Sequence, residues 1–176
     1  MEMRACDVAS NQDIELTKKE RFQAFYDLTA RPLFGYLIRV TGNRDASRDL
    51  LQESYCRYLA ATLPAMDDAG RKNYLYRIAT NLLNDRWRRG DRGSTDALED
   101  QAYEDNLHVR VQLRQAFQQL QERERQLLWL AYVEGATHKE IAAISGLRTS
   151  SVRELLYRAR RKLASVMNCG QREKRG

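Results

Sequence analysis

The chain has 176 residues, 43% hydrophobic and 31% charged, with a formal net charge of +6, a size that suits one ordinary domain or two small ones. Cys6, Cys56 and Cys169 form no CxxC pair and have no histidine at ligand spacing, which argues against a disulfide framework or a structural zinc site and fits a reducing cytoplasm. No apolar run reaches the length of a membrane span, and only two Pro and nine Gly interrupt the chain, so an all-α protein is predicted.

Residues 1–19 carry no apolar signal-peptide core and are expected to be a flexible lead-in. A first helical domain is predicted over 20–90. Phe22, Phe25, Leu28, Leu33, Leu37 and Val40 recur at helical spacing, and Pro32 is expected to divide this stretch into two helices. Gly42 and Asn43 form a turn. An amphipathic helix follows from Asp45 to about Ala61, with Leu50, Leu51, Tyr55, Tyr58 and Leu59 as its apolar surface. After a loop at Pro64 to Gly70, a third helix runs from about Arg71 to Arg89 and buries Leu75, Ile78, Leu82 and Leu83 or Trp87.

Residues 91–107 break the pattern with six acidic residues against one Arg, and read as a linker. Helices at about 109–120 and 122–134 then carry Val111, Leu113, Phe117, Leu120, Leu127, Leu128, Leu130 and Val133, and Gly135 ends the pair. The fold class is therefore two small helical domains joined by an acidic flexible linker. The second, over 108–167, is a four-helix module, and residues 168–176 form a flexible tail.

The most specific signal lies at 137–163, THKEIAAISGLRTSSVRELLYRARRKL. Thr137 and Glu140 make a capping box, Ile141, Ala142 and Ile144 supply a small apolar face, and Gly146 suits a left-handed helix end. A second helix starts at Thr149 or Ser150 as N-cap, with Val152, Leu156, Ala159 and Leu163 on one stripe. Its other side offers Ser150, Glu154, Tyr157, Arg158 and Arg161, flanked by Arg153 and Arg160. This is a helix-turn-helix with cations for phosphates and polar groups for base edges. The charge distribution agrees, since residues 108–176 hold 14 Lys and Arg against 6 Asp and Glu, a surplus suited to a polyanion. A plain amphipathic helix with a solvated Arg face is the alternative.

These parts, in this order, resemble the sigma factors of bacterial RNA polymerase, the sigma-70 family. Within it they resemble the small extracytoplasmic-function (ECF) group, which keeps only the second and fourth conserved regions. DASRDLLQESYCRYL at 45–59 is similar to the core-binding segment, NYLYRIATNLLNDRWRR at 73–89 to the promoter-melting segment, and residues 120–163 to the fourth region. The resemblance implies a promoter-specificity factor that is not an enzyme, needs no cofactor or metal and works in the cytoplasm without membrane insertion. Its implied partners are core RNA polymerase (the clamp helices of the largest subunit and the flap of the second-largest), promoter DNA both duplex and single-stranded, and an anti-sigma factor.

Residue by residue, the resemblance places Asp49, Gln52 and Glu53 on the polymerase-docking ridge. Arg77, Asn81, Asn84 and Arg88, with Arg89, fall on single-stranded DNA of the minus-10 element. The loop Pro64 to Gly70 matches a pocket for a flipped base, and Tyr74 and Tyr76 are offered either as stacking groups or as core. Ser150, Ser151, Arg153, Glu154, Tyr157, Arg158 and Arg161 fall on the duplex minus-35 element. The acidic linker imitates RNA phosphates in the polymerase or simply solubilises the chain. Gln121 where Pro is frequent, Tyr74 where Trp is frequent and Thr80 where a cation is common are departures from the pattern.

Two other readings stand beside this one. A stand-alone helix-turn-helix regulator shares the C-terminal motif without using Asp49 to Glu53, Asn81 and Asn84. A metal-dependent nuclease would use Asp45, Asp49 and Glu53, or Asp67 and Asp68, yet lacks companion ligands, a Gly-rich phosphate loop and an activated nucleophile.

Overall fold

The computed structural model describes residues 5–90 and 107–172, all of whose regular elements are α-helices. In chain order they are α1 (Ala5–Thr41), α2 (Arg44–Ala60), α3 (Asp68–Arg88), α4 (Leu107–Gln118), α5 (Glu122–Tyr132), α6 (His138–Ser145) and α7 (Thr149–Arg172). The acidic linker, apart from Leu107, lies outside the described residues.

Four expectations about boundaries need correction. Helix α1 begins at Ala5, so residues 5–19 of the expected lead-in are helical, and no Gly or Pro interrupts the chain from there to Arg31. Pro32 does not divide α1. It lies on the solvent side, where water can take the carbonyl its missing N–H leaves free, while Phe25, Thr29, Leu33, Tyr36, Leu37 and Val40 are buried on both sides of it. Helix α3 starts three residues early because Asp67 Oδ1 accepts the Gly70 N–H at 2.8 Å and caps it. At the far end α7 continues to Arg172, into the expected tail.

Helices α1, α2 and α3 enclose the first part of the core, with Leu33, Tyr36, Leu37, Leu75, Tyr76 and Leu83 almost wholly buried. Tyr55 Oη and Thr29 Oγ1 are 2.8 Å apart, and Phe25 and Tyr58 stack with centroids 5.0 Å apart. Helices α4 to α7 enclose the second part around Leu127, Leu130, Ile141, Val152, Leu156 and Ala159. The capping box at Thr137 and Glu140 forms as predicted, and Gly146 ends α6 at φ +65°. Helix α7 includes Thr149, so that hydroxyl belongs to the first turn and is not the cap.

The two parts are packed together, which the sequence pattern does not reveal. α1 meets α5 and α3 meets α6, so the buried side chains make one continuous core. Trp129 of α5 lies against Gly35 of α1, where a Cβ would stand 3.6 Å from Trp129 Cζ2. Lys72 Nζ is 2.9 Å from Glu134 Oε2, and Asn73 Nδ2 donates to Glu140 Oε1 at 2.9 Å.

Candidate nucleic-acid interface

On α3 the residues Arg77, Asn81, Asn84 and Arg88 follow each other at i, i+4, i+7 and i+11, which sets them on one stripe. Arg77, Asn81 and Arg88 are exposed and Asn84 half-buried, whereas Leu75, Tyr76, Ala79, Thr80 and Leu83 are buried on the other side. Arg88 pairs with Asp85, and Arg89 Nε donates to the Asp85 carbonyl at 3.3 Å. The stripe thus offers two amides between cations, a chemistry suited to base edges flanked by phosphates.

Tyr76 is not available for stacking. It is 1% exposed, tilted against Tyr36 at 5.5 Å, and burial pushes its phenol well above the ordinary range. Tyr74 is half-buried and tilted against Tyr58 at 6.4 Å. Thr80, at a position where the sequence departs from a common cation, is fully buried with its hydroxyl 2.9 Å from Tyr36 Oη. A charged side chain there would have to be desolvated.

Helix α7 gives a second exposed face. Ser150, Arg153, Glu154, Tyr157, Arg158 and Arg161 are exposed and Ser151 half-buried, opposite Val152, Leu156 and Ala159. Arg158 pairs with Glu154, and the Arg161 guanidinium stands 5.9 Å from the centroid of the Tyr157 ring. His138, Lys139 and Arg148, exposed at the start of α6 and in the turn before α7, extend this face beyond the residues the sequence pattern points to. Their signal was present as polar and basic residues bordering the turn.

The α2 ridge is the third face. Asp49, Gln52 and Glu53 are exposed, and Glu53 Oε1 accepts from Arg57 Nε at 2.7 Å. Cys56 and Leu59 continue this ridge at helical spacing, and Leu59 is 59% exposed although its apolar character suggested packing. Leu113 and Val133, 43% and 59% exposed, line an apolar groove of about 410 Å³ with Phe117, Leu128, Trp129 and Tyr132. The loop expected as a base pocket reduces to residues 61–67, with Asp67 engaged as a helix cap. Among the described residues no three His, Cys, Asp or Glu side chains converge as a metal site, and no helix is long and apolar enough to cross a membrane.

Comparison with known families places these faces in context. Residues 25–93 match the model for sigma-70 region 2, and residues 110–163 the model for sigma-70 region 4. The chain belongs to the sigma-70 family. Within that family it is an ECF sigma factor and acts in promoter-specific initiation of transcription. It is 28% identical over 144 residues to the ECF RNA polymerase sigma factor EcfG of Rhodopseudomonas palustris, covering 77% of this chain and 78% of that protein. It is 22% identical over 156 residues to the ECF RNA polymerase sigma factor SigM of Bacillus subtilis, covering 82% and 94%. The fold of the sigma factor RpoE, solved in complex with the anti-sigma factor NepR from Bartonella quintana, superposes with a TM-score of 0.70 at 18% identity, covering 85% of this chain and 98% of that one.

Proposed function

We propose that residues 20–90 of this sigma factor grip core RNA polymerase and melted minus-10 DNA, while residues 108–167 grip the duplex minus-35 element. Asp49, Gln52 and Glu53 meet cationic and polar groups of the polymerase clamp helices. Arg77 and Arg88 hold single-stranded backbone, and Asn81 and Asn84 hydrogen-bond unstacked bases. Arg153, Glu154, Tyr157 and Arg158 face the major groove, with Ser150, Ser151 and Arg161 on phosphates. The apolar groove between α4, α5 and α7 suits a helix from the polymerase flap. The observation that carries this reading is the separation of the three sets onto three solvent-facing helix sides, each opposite buried apolar residues.

The factor works in the cytoplasm with no catalysis of its own, and an anti-sigma protein restrains it until a signal arrives. The complex of the related fold with NepR supports the last point by analogy. Run-off transcription with core polymerase and a randomised promoter library tests the whole. Transcripts that select two spaced sequence elements are expected. Failure to start RNA from any template in the pool would overturn the reading.

A further inference from the structure

The basic run RARRK at 158–162 of α7 does not point one way. With about 100° between successive residues, Arg158 and Arg161 fall on the outward side with Ser150, Glu154 and Tyr157, opposite the buried Val152, Leu156 and Ala159. Arg160 and Lys162 fall instead on the two opposite borders of that buried stripe.

Each of these border cations is bound to α5. Lys162 Nζ donates to Glu124 Oε2 at 2.8 Å, and Arg160 Nη1 donates to Tyr132 Oη at 3.1 Å. Glu124 lies in the first turn of α5 and Tyr132 is its last residue, so the two acceptors stand about 12 Å apart along that axis. Their donors are only about 3 Å apart along α7. Helix α5 therefore crosses beneath α7 and holds it at both edges of the crossing. The Glu124 carboxylate is fixed beforehand, because its Oε2 also accepts the Gln121 N–H at 2.7 Å. Glu124 and Lys162 keep 22% and 40% of their side-chain surface in solvent, against 64% and 68% for Glu154 and Arg158, so the pair that ties α7 to α5 is the less screened of the two.

A helix pinned at one edge can roll about its axis; pinned at both, it cannot roll without stretching a bond. A roll of about 20° carries a group about 6 Å from the axis through about 2 Å. That exceeds the window of about 0.5 Å within which a hydrogen bond keeps its geometry, so base-edge contacts would be lost, whereas long Arg stems can still follow a phosphate. We propose that Arg160 and Lys162 are positioning residues: with Tyr132 and Glu124 they staple α7 across α5 and set which flank of the helix meets the base edges, and neither serves as a phosphate contact. This rests on the assignment of α7 to the duplex minus-35 element.

Filter binding of the full chain tests it, with a duplex selected from the randomised promoter library and a scrambled one, each variant being matched to wild type in helicity by circular dichroism. Lys162→Met, Arg160→Met and Tyr132→Phe should each lower the ratio of selected to scrambled affinity by about fivefold or more, the low end of what one good base contact is worth. Lys162→Arg, which keeps a donor for Glu124, should restore it. The slope of log affinity against log salt should stay at the wild-type value in Lys162→Met and Arg160→Met, and fall by about 1 in Arg161→Ala. Loss of a similar slope in Lys162→Met or Arg160→Met would make these residues phosphate contacts and overturn the staple, as would unchanged discrimination in both Lys162→Met and Tyr132→Phe. Tyr132 lies on α5, away from the duplex-facing side of α7, so an effect there reports on the set of the helix and not on a lost contact. A wild type that prefers no duplex would sink the minus-35 assignment and the staple's part in reading with it, whereas loss confined to the variants belongs to the staple alone.

Discussion

Glu140 divides its carboxylate between its own helix and a neighbouring one: Oε2 accepts from the Thr137 N–H at 2.8 Å and the Thr137 hydroxyl at 2.7 Å, while Oε1 accepts from Asn73 at 2.9 Å. One side chain thus caps the first helix of the helix-turn-helix and ties it to α3. Replacing it with Ala removes a cap and a charge-assisted hydrogen bond, so Glu140→Ala should lower unfolding free energy by about 1–3 kcal/mol. Urea denaturation measures the loss, and Asn73→Ala should reproduce only the part of it that comes from the bond to α3.

The same contacts, Asn73 first and then Thr137, hold the Glu140 carboxyl below its ordinary value of 4.5. A depressed carboxylate stabilises the fold fully above its unfolded value and loses that contribution as pH falls through the lower folded value. The stability gap between wild type and Glu140→Gln should therefore be constant from pH 7 to about pH 5 and narrow below about pH 4.5. A gap that widens with acid would contradict the bond pattern.

Gly146 ends α6 at φ +65°, and a Cβ placed there meets nothing within 4 Å. The cost of Gly146→Ala is then backbone strain alone, about 1–2 kcal/mol. Thermal denaturation should show a lowered midpoint. Duplex affinity should fall only as far as the population of folded protein does.

Arg153→Ala and Arg158→Ala should weaken duplex binding while leaving polymerase binding intact. Arg161, assigned to a phosphate, should in its Ala variant lower the slope of log affinity against log salt by about 1. Filter binding over a salt series reads this directly. Release of the Arg158 partner Glu154 would be felt only locally, since both side chains are well exposed.

Asp49→Arg should abolish association with core polymerase in a pull-down and spare duplex binding. Asp49 is exposed and opposite the buried face of α2, so stability should change by less than about 0.5 kcal/mol. Loss of helicity in this variant would assign the ridge a structural role instead.

Much of this molecule could be read from periodicity and caps. The buried stripe Val152, Leu156 and Ala159, the capping box at Thr137 and the left-handed Gly146 all obey local rules, and each formed where the pattern placed it. Pro32 escapes the pattern because its effect depends on which side of the helix it occupies, and a chain position does not say that until the neighbours are packed. The exposure of Leu59, Leu113 and Val133 is hidden for the same reason: an apolar side chain on a periodic stripe looks alike whether it meets its own protein or faces outward. The packing of the two parts is not legible because the residues that join them, Lys72 with Glu134 and Asn73 with Glu140, are polar and far apart in sequence, and nothing local distinguishes them from solvated ones.

The shared carboxylate of Glu140 also constrains how this chain can change over generations. A substitution at position 73 reaches the first turn of a helix 67 residues away, so the halves of the molecule are not free to vary independently. In a set of related sequences, residues 73 and 140 should be inherited as a pair, and chimaeras that join halves from different lineages should suffer most where that pairing is mismatched.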